Sequence, residues 1–309
     1  MEEYFSARES QAHLYKDLPL YCKSEDNTFV LYKKGGDVLD TLRLDDKKHP
    51  ELFIKKSDKD IAVKELFASL NKNLAQQSLS NNLTAVRTTM TLVVKEALEC
   101  AQAPDTEVFN LIPETIEVLF DGFSQRTELF DTLLKIKTTS SIVTEHTINV
   151  LILTFRYGFF HALKEKEIKR LALCALFHDI GISEVNQKIL DVDRRLTDKE
   201  FEDYTTHASK GCDLLLKQTG FDPLSATVAQ EHHERVDGSG YPFGRIDTCY
   251  ESQLIGLIDS YEPLTYRDRT HRKAKKPFDS LQLIKEEVLQ GKFRPDIFKD
   301  FSTCLTVKT

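Results

Sequence analysis

The sequence has no CxxC pair among its six cysteines, at positions 22, 100, 174, 212, 249 and 304. Neither a thiolate zinc site nor a disulfide framework is therefore indicated. It has no excess of base either: 42 Lys and Arg stand against 49 Asp and Glu, a formal charge of −7. General coating of nucleic acid needs a basic face, so DNA is not an expected partner. No apolar run has the length of a membrane span; the longest, around Val150 to Phe160, is broken by Thr154 and Arg156. Met1-Glu2-Glu3-Tyr4 lacks the basic and apolar regions of a signal peptide. With unpaired cysteines, this makes a cytoplasmic location the expectation. Repeats and low-complexity tracts are missing too. What remains is 309 residues of ordinary globular composition, 40% apolar and 29% charged, long enough for two domains.

Three parts can be distinguished. Residues 1–60 read as a small β-rich module: Leu18 to Lys23, Thr28 to Lys33 and Glu51 to Lys56 are β-prone runs separated by turn signals. Its position before a larger body suggests sensing or docking. Residues 61–125 read as a helical connector. In it Val86, Met90, Val93, Val94, Ala97, Leu98 and Ala101 recur at helical spacing, ending before Pro104. This stripe suits packing on the chain's own body or pairing with a second copy in a homodimer. Asp105 to Phe120 reads as another helix, closed by Asp121-Gly122. Residues 126–309 read as consecutive helices, so the fold class is mainly α: an all-helical C-terminal bundle, a connector and a small β-rich N-terminal domain.

The histidines of the third part stand out. His146 falls in the second turn of a helix capped by Ser140 or Ser141. An apolar helix from Lys164 to Phe177 ends in His178-Asp179, whose burial is costly unless the pair is partnered or bound to a cation. Thr197-Asp198-Lys199-Glu200 fits a capping box opening a helix that carries His207. Asp222-Pro223 opens another that ends at His232-His233. A helix from about Ser252 to Leu264 presents Asp259 among apolar neighbours. Any one of these is more simply a core or surface residue. Together, five histidines and two carboxylates suit two mid-first-row ions, with a carboxylate able to bridge.

His178-Asp179, with the upstream His146 and the later Asp259, resembles the HD phosphohydrolase superfamily. The addition of His207, His232-His233 and the Asp237 to Pro242 run makes the chain resemble the HD-GYP family, over roughly residues 126 to 301. The resemblance implies an all-helical domain around a metal centre that hydrolyses cyclic di-GMP by a metal-bridging hydroxide. It implies His146, His178, Asp179, His207, His232, His233 and Asp259 as metal ligands, with His178 and Asp179 central to catalysis and Asp179 bridging. Trinuclear members carry a Glu four residues before the first His. Ile142 stands there, so two divalent ions are expected, iron or alternatively manganese. Arg269, Arg272 and Lys273 are the expected phosphate contacts. Gly240, Tyr241 and Pro242 would form either a tight turn holding the histidine pair or a loop for protein partners such as cyclic-di-GMP synthases. The β-rich unit resembles, more weakly, a module that precedes this domain in some members.

Two positions depart from the family pattern. His-Asp is usually followed by Ile-Gly-Lys, whose lysine meets substrate phosphate; here Ile182 takes the lysine's place. Arg-Pro-Tyr-Arg after the last ligand helix is here Arg269-Thr270-His271-Arg272. Losing one charge-assisted contact costs about 1.5–3 kcal/mol, roughly ten- to hundredfold in rate or affinity. The expectation is a phosphodiesterase of reduced activity. The alternatives are a metal-containing nucleotide receptor or interaction module, and action on another nucleotide.

Overall fold

The β-prone runs of the N-terminal part become strands, and one more precedes them. In the computed structural model, which describes residues 3–37, 39, 50–100, 108–124, 126–138, 140–190, 192, 194–218, 222–266 and 273–307, these are β1 (Tyr4–Ser6), β2 (Leu20–Lys23), β3 (Phe29–Lys33) and β4 (Leu52–Lys55). They form an antiparallel sheet in the order β1-β4-β2-β3. The three residues of β1 are too few for an alternating pattern; pairing with β4, Phe5 opposite Ile54, holds them extended. Leu20, Leu52 and Ile54 are buried in one continuous core with Leu66, Phe67 and Leu70 of the first helix, α1 (Lys59–Leu79).

Helices follow: α2 (Leu83–Cys100), α3 (Val108–Ser124), the single turn α4 (Phe130–Leu133), α5 (Ile142–Phe160) and α6 (Glu165–Phe177). Then come the short α7 (Gln187–Leu190), α8 (Asp198–Leu216), α9 (Pro223–Glu231), α10 (Tyr250–Tyr266), α11 (Pro277–Leu289) and α12 (Pro295–Thr306). Their starts follow local chemistry. Ser141 accepts the Thr144 N–H at 3.2 Å, and Thr197 and Glu200 close a reciprocal capping box. Asp222 accepts the Leu224 N–H at 3.0 Å ahead of Pro223. One stop signal fails: α3 runs through Gly122 to Ser124. Burial of Ile116, Leu119 and Phe123 outweighs the helix cost of a glycine, about 1 kcal/mol.

The apolar run around Val150 to Phe160 belongs to α5, which is buried on almost every side. No helix among the described residues is long and apolar enough to cross a membrane. The α2 stripe (Val86, Met90, Val93, Val94, Ala97) is buried in the chain's own core, with Leu98 packed at its edge. Ala101 lies outside the described residues.

Two buried carboxylates fix α2 at its ends. Glu96 accepts hydrogen bonds from Arg8 and Gln11, next to the sheet. Nearer the other end, the fully buried Arg87 donates to Glu145 on α5 at 2.7 Å. Glu145 also accepts from Ser140 at 2.7 Å, and from Thr138 and Tyr266. Burial alone would raise the pKa of Glu145, but these donors bring it down to about 2. Arg87→Met strands a buried carboxylate and should cost about 3–5 kcal/mol of stability. Denaturant unfolding checks this, and Arg87→Met/Glu145→Gln, which removes the stranded charge, is expected to cost less than Arg87→Met alone.

Candidate metal centre

The seven predicted ligands come from five places along the bundle: His146 from α5, His178 and Asp179 from the end of α6, His207 from α8, His232 and His233 from the end of α9, and Asp259 from α10. Packing draws them together. The apolar face of α6 (Leu171, Ala172, Ala175, Leu176) is buried, which carries His178 and Asp179 inward with it. At Gly256 the α10 backbone meets the end of α9 so closely that a Cβ there would lie 2.0 Å from the His232 carbonyl. Asp259, three residues on, is placed by that approach.

The histidine rings are held by their own helices. The Nδ1 of His178 is 2.8 Å from the Ala175 carbonyl, that of His207 is 2.6 Å from Tyr204, and that of His232 is 3.0 Å from Ala229. A carbonyl only accepts, so in each ring Nδ1 carries the proton and Nε2 presents a lone pair to the cluster. His146 is oriented from outside its helix. Its Nδ1 is 2.7 Å from Glu262, and Glu262 is in turn 2.5 Å from Asn149 Nδ2. Metal-binding histidines are commonly oriented this way, through a carboxylate or carbonyl at the far ring nitrogen.

The inward atoms form two groups around one carboxylate. Asp179 Oδ1 lies 3.2 Å from His207 Nε2 and 3.5 Å from His232 Nε2. Asp179 Oδ2 lies 3.5 Å from His178 Nε2 and 3.7 Å from His146 Nε2. Asp259 stands 2.9 Å from His146 Nε2, and its other oxygen is 3.6 Å from His233 Nδ1. Asp179, His207, His232 and His233 can bring ligand atoms within 4.8 Å of one another, and so can His146, His178 and Asp179.

Asp179 Oδ1 and the Nε2 atoms of His207, His232 and His233 are buried without a hydrogen-bond partner. Buried polar atoms are rarely left so, and four aimed at one another mark a place built for cations. The donor set is all imidazole and carboxylate, suited to a mid-first-row metal. Burial pushes the His178 imidazole down to about 4 and His233 well below its usual value, so both rings are neutral, the form that binds metal. Asp179 and Asp259 are buried too, yet the imidazoles hold both below the usual carboxylate range.

A cavity of about 220 Å³ opens onto His146, Asp179 and Asp259. Ile142, Val143, Ile182 and Leu190 make its walls apolar, and Ile182 itself is 5% exposed. Arg194 is the one Lys or Arg among its described lining residues, and two of its nitrogens each lie 2.7 Å from Glu200. Arg269, Arg272 and His271 lie outside the described residues. Lys273 is exposed and is not among the described residues lining this cavity.

The glycine-rich loop folds back on the histidine pair. Tyr241 stacks on His233, ring centroids 4.5 Å apart, and Pro242 follows on the same turn. A Cβ at Gly240 would lie 2.4 Å from the Arg235 nitrogen and 2.5 Å from the His233 carbonyl, so the turn needs glycine there. Glu234, buried, accepts the backbone N–H of Phe243 at 2.8 Å and of Arg245 at 2.9 Å, closing the loop.

Glu262 and Asn149 are absent from the sequence reading, and Glu234 stands in it only as an acid flanking the histidine pair, not as the residue that closes the loop. Glu262 is three residues after Asp259 and Asn149 three after His146, so both share a helix face with a ligand. That spacing is a usable signal. Glu234 carries no such mark, because its partners are loop backbone.

Comparison with known proteins is consistent with this geometry. The HD domain family model matches residues 133–297. The cyclic di-GMP phosphodiesterase PA4108 of Pseudomonas aeruginosa is 29% identical over 171 residues, 55% of this chain and 41% of its own length. The cyclic di-GMP phosphodiesterase of Thermotoga maritima is 30% identical over 160 residues, 50% of this chain and 43% of its own. The 3'3'-cGAMP-specific phosphodiesterase 3 of Vibrio cholerae is 32% identical over 139 residues, 44% of this chain and 30% of its own. The matches thus span less than half of each relative's length. Among solved structures, Bd1817, an HDG"Y"P protein from Bdellovibrio bacteriovorus, aligns with TM-score 0.66 at 16% identity, covering 99% of this chain and 100% of that one. That likeness concerns the fold.

Two outcomes test the centre. Glu262→Gln should weaken retention of a divalent metal by about 10–100-fold, measured by competition with a chelating dye; wild-type retention would show that His146 is oriented without Glu262. Chelation of the metal-loaded protein should lower its melting temperature, since ligand bound only to the native state stabilises it.

Proposed function

The chain belongs to the HD domain family, and on that premise we propose that it is a metal-dependent phosphodiesterase of the HD-GYP type acting on cyclic di-GMP. One observation carries the reading: seven residues in the family's order meet in one cluster, and four of their inward atoms, Asp179 Oδ1 and the Nε2 of His207, His232 and His233, are buried without a hydrogen-bond partner. The relatives named as cyclic di-GMP and cGAMP phosphodiesterases support the substrate class.

His146, His178, Asp179, His207, His232, His233 and Asp259 would hold two divalent ions, iron or alternatively manganese, with Asp179 shared between them. When bound, such a pair supplies Lewis acidity and an activated water for attack on phosphorus. The chain's own contribution is orientation and dryness. Glu262 and three backbone carbonyls lock the imidazoles, so the donor set is formed before substrate arrives. The Tyr241 ring covers one side of His233, and the apolar cavity wall lowers the local dielectric, strengthening each charge interaction there. Arg269, Arg272 and Lys273 are the proposed phosphate cations. Residues 1–60 are the proposed sensing or docking module, joined to the catalytic part by the connector of residues 61–125.

A second reading has its own support. Ile182 occupies the wall where the family places a lysine, and Arg194 in that wall is already paired with Glu200. A lining so short of free cations among its described residues suits a nucleotide receptor, with Gly240, Tyr241 and Pro242 available to a protein partner.

Anaerobic metal loading followed by a cyclic di-GMP turnover assay separates the two. The enzyme reading expects slow hydrolysis that Asp179→Asn abolishes, and about a ten- to hundredfold gain from Ile182→Lys. A metal-loaded protein that binds the dinucleotide and leaves it intact, with or without that lysine, sinks the enzyme reading in favour of the receptor.

A further inference from the structure

A second, larger cavity of about 920 Å³ lies between α2 and the start of α5. It shares Val143, Ile182 and Leu190 with the 220 Å³ metal-site cavity, so the two spaces meet across the Ile182 ledge. Pockets that bury a ligand of drug size run to about 300–1,000 Å³. The inner cavity alone falls short of that range, and a cyclic dinucleotide is larger than most drugs. The outer cleft supplies the missing room.

Its lining is polar in an ordered way. Thr84, Thr88 and Thr91 follow one another at helical spacing along α2 and face Ser140, Ser141 and Ser183 across the cleft. The Thr88 and Thr91 hydroxyls donate to the Thr84 and Arg87 carbonyls, each at 2.9 Å, which leaves their lone pairs to accept. Two lysines, Lys95 and Lys137, stand in the wall beside one acid, Glu99. Lys137 is the more telling. Its Nζ lies 5.6 Å from the centre of the Tyr266 ring, and Tyr266 lines the metal-site cavity. The ammonium group therefore sits where the two cavities adjoin, on the edge the Ile182 ledge leaves without charge.

We propose that this cleft is the outer half of the substrate site. The phosphodiester to be cleaved lies at the Asp179 cluster, the distal nucleotide passes over Ile182 into the hydroxyl-lined cleft, and Lys137 supplies a cation to the second, uncleaved phosphodiester. The proposal rests on the phosphodiesterase reading above.

Lys137→Ala and Thr88→Trp, one removing the charge and one filling the cleft, both alter exposed side chains. Metal content and melting temperature should therefore stay at wild-type values. For cyclic di-GMP, KM and the Kd of a fluorescent derivative should rise about tenfold or more in each variant. For bis(4-nitrophenyl) phosphate, a diester small enough for the inner cavity, kcat/KM should not change. Variants that match wild type on both substrates overturn the cleft while leaving the phosphodiesterase reading intact. Equal losses on both substrates overturn it as well, because the residues would then act on the metal centre. A metal-loaded wild type that cleaves the small diester but neither binds nor cleaves cyclic di-GMP overturns the cyclic di-GMP reading, and the cleft with it.

Discussion

Asp179 is the constraint around which the bundle is arranged. A carboxylate buried among five imidazoles is tolerable only where cations complete the site, because an ionised group taken out of water without partners costs several kcal/mol. Its two oxygens face two different groups of histidines, drawn from four helices. Each of those helices must end, or turn its face, within a few ångströms of one point. Much of the rest follows from this: the close approach at Gly256, the capped starts of α5, α8 and α9, and an α5 buried on nearly all sides.

The cluster is held from behind by a second layer of polar contacts. Carbonyls of the parent helices fix three rings, and Glu262 fixes the fourth. One residue before His146, Glu145 gathers Arg87 of the connector, Ser140 and Thr138 of the preceding loop, and Tyr266 at the end of the Asp259 helix. The connector's other end is tied to the N-terminal segment through Glu96. Glu96 and Arg87 thus anchor α2 at its two ends, one beside the sheet and the other beside the residue that precedes His146.

In the proposed substrate site, Lys137 stands on the side of the cavity wall where Ile182 offers no charge. The ledge residue is apolar and nearly buried, so a cation cannot come from that point of the wall. The loop before α5 presents one from the other side of Tyr266.

The sequence by itself determined the helical class, three of the four N-terminal strands and the seven residues that meet in the cluster. Helix periodicity, capping residues and the rarity of buried histidine are local signals, and each is written in a few adjacent residues. It also marked Ile182 as the odd position. Only the tertiary structure decided that Asp179 divides its oxygens between two histidine groups, that Glu262 and Asn149 hold His146, and that Arg87 reaches Glu145 from 58 positions away. It likewise turned the α2 stripe inward and carried α3 past Gly122. Those outcomes depend on which helix faces meet, and burial of apolar area sets that choice across the whole chain rather than at any one position.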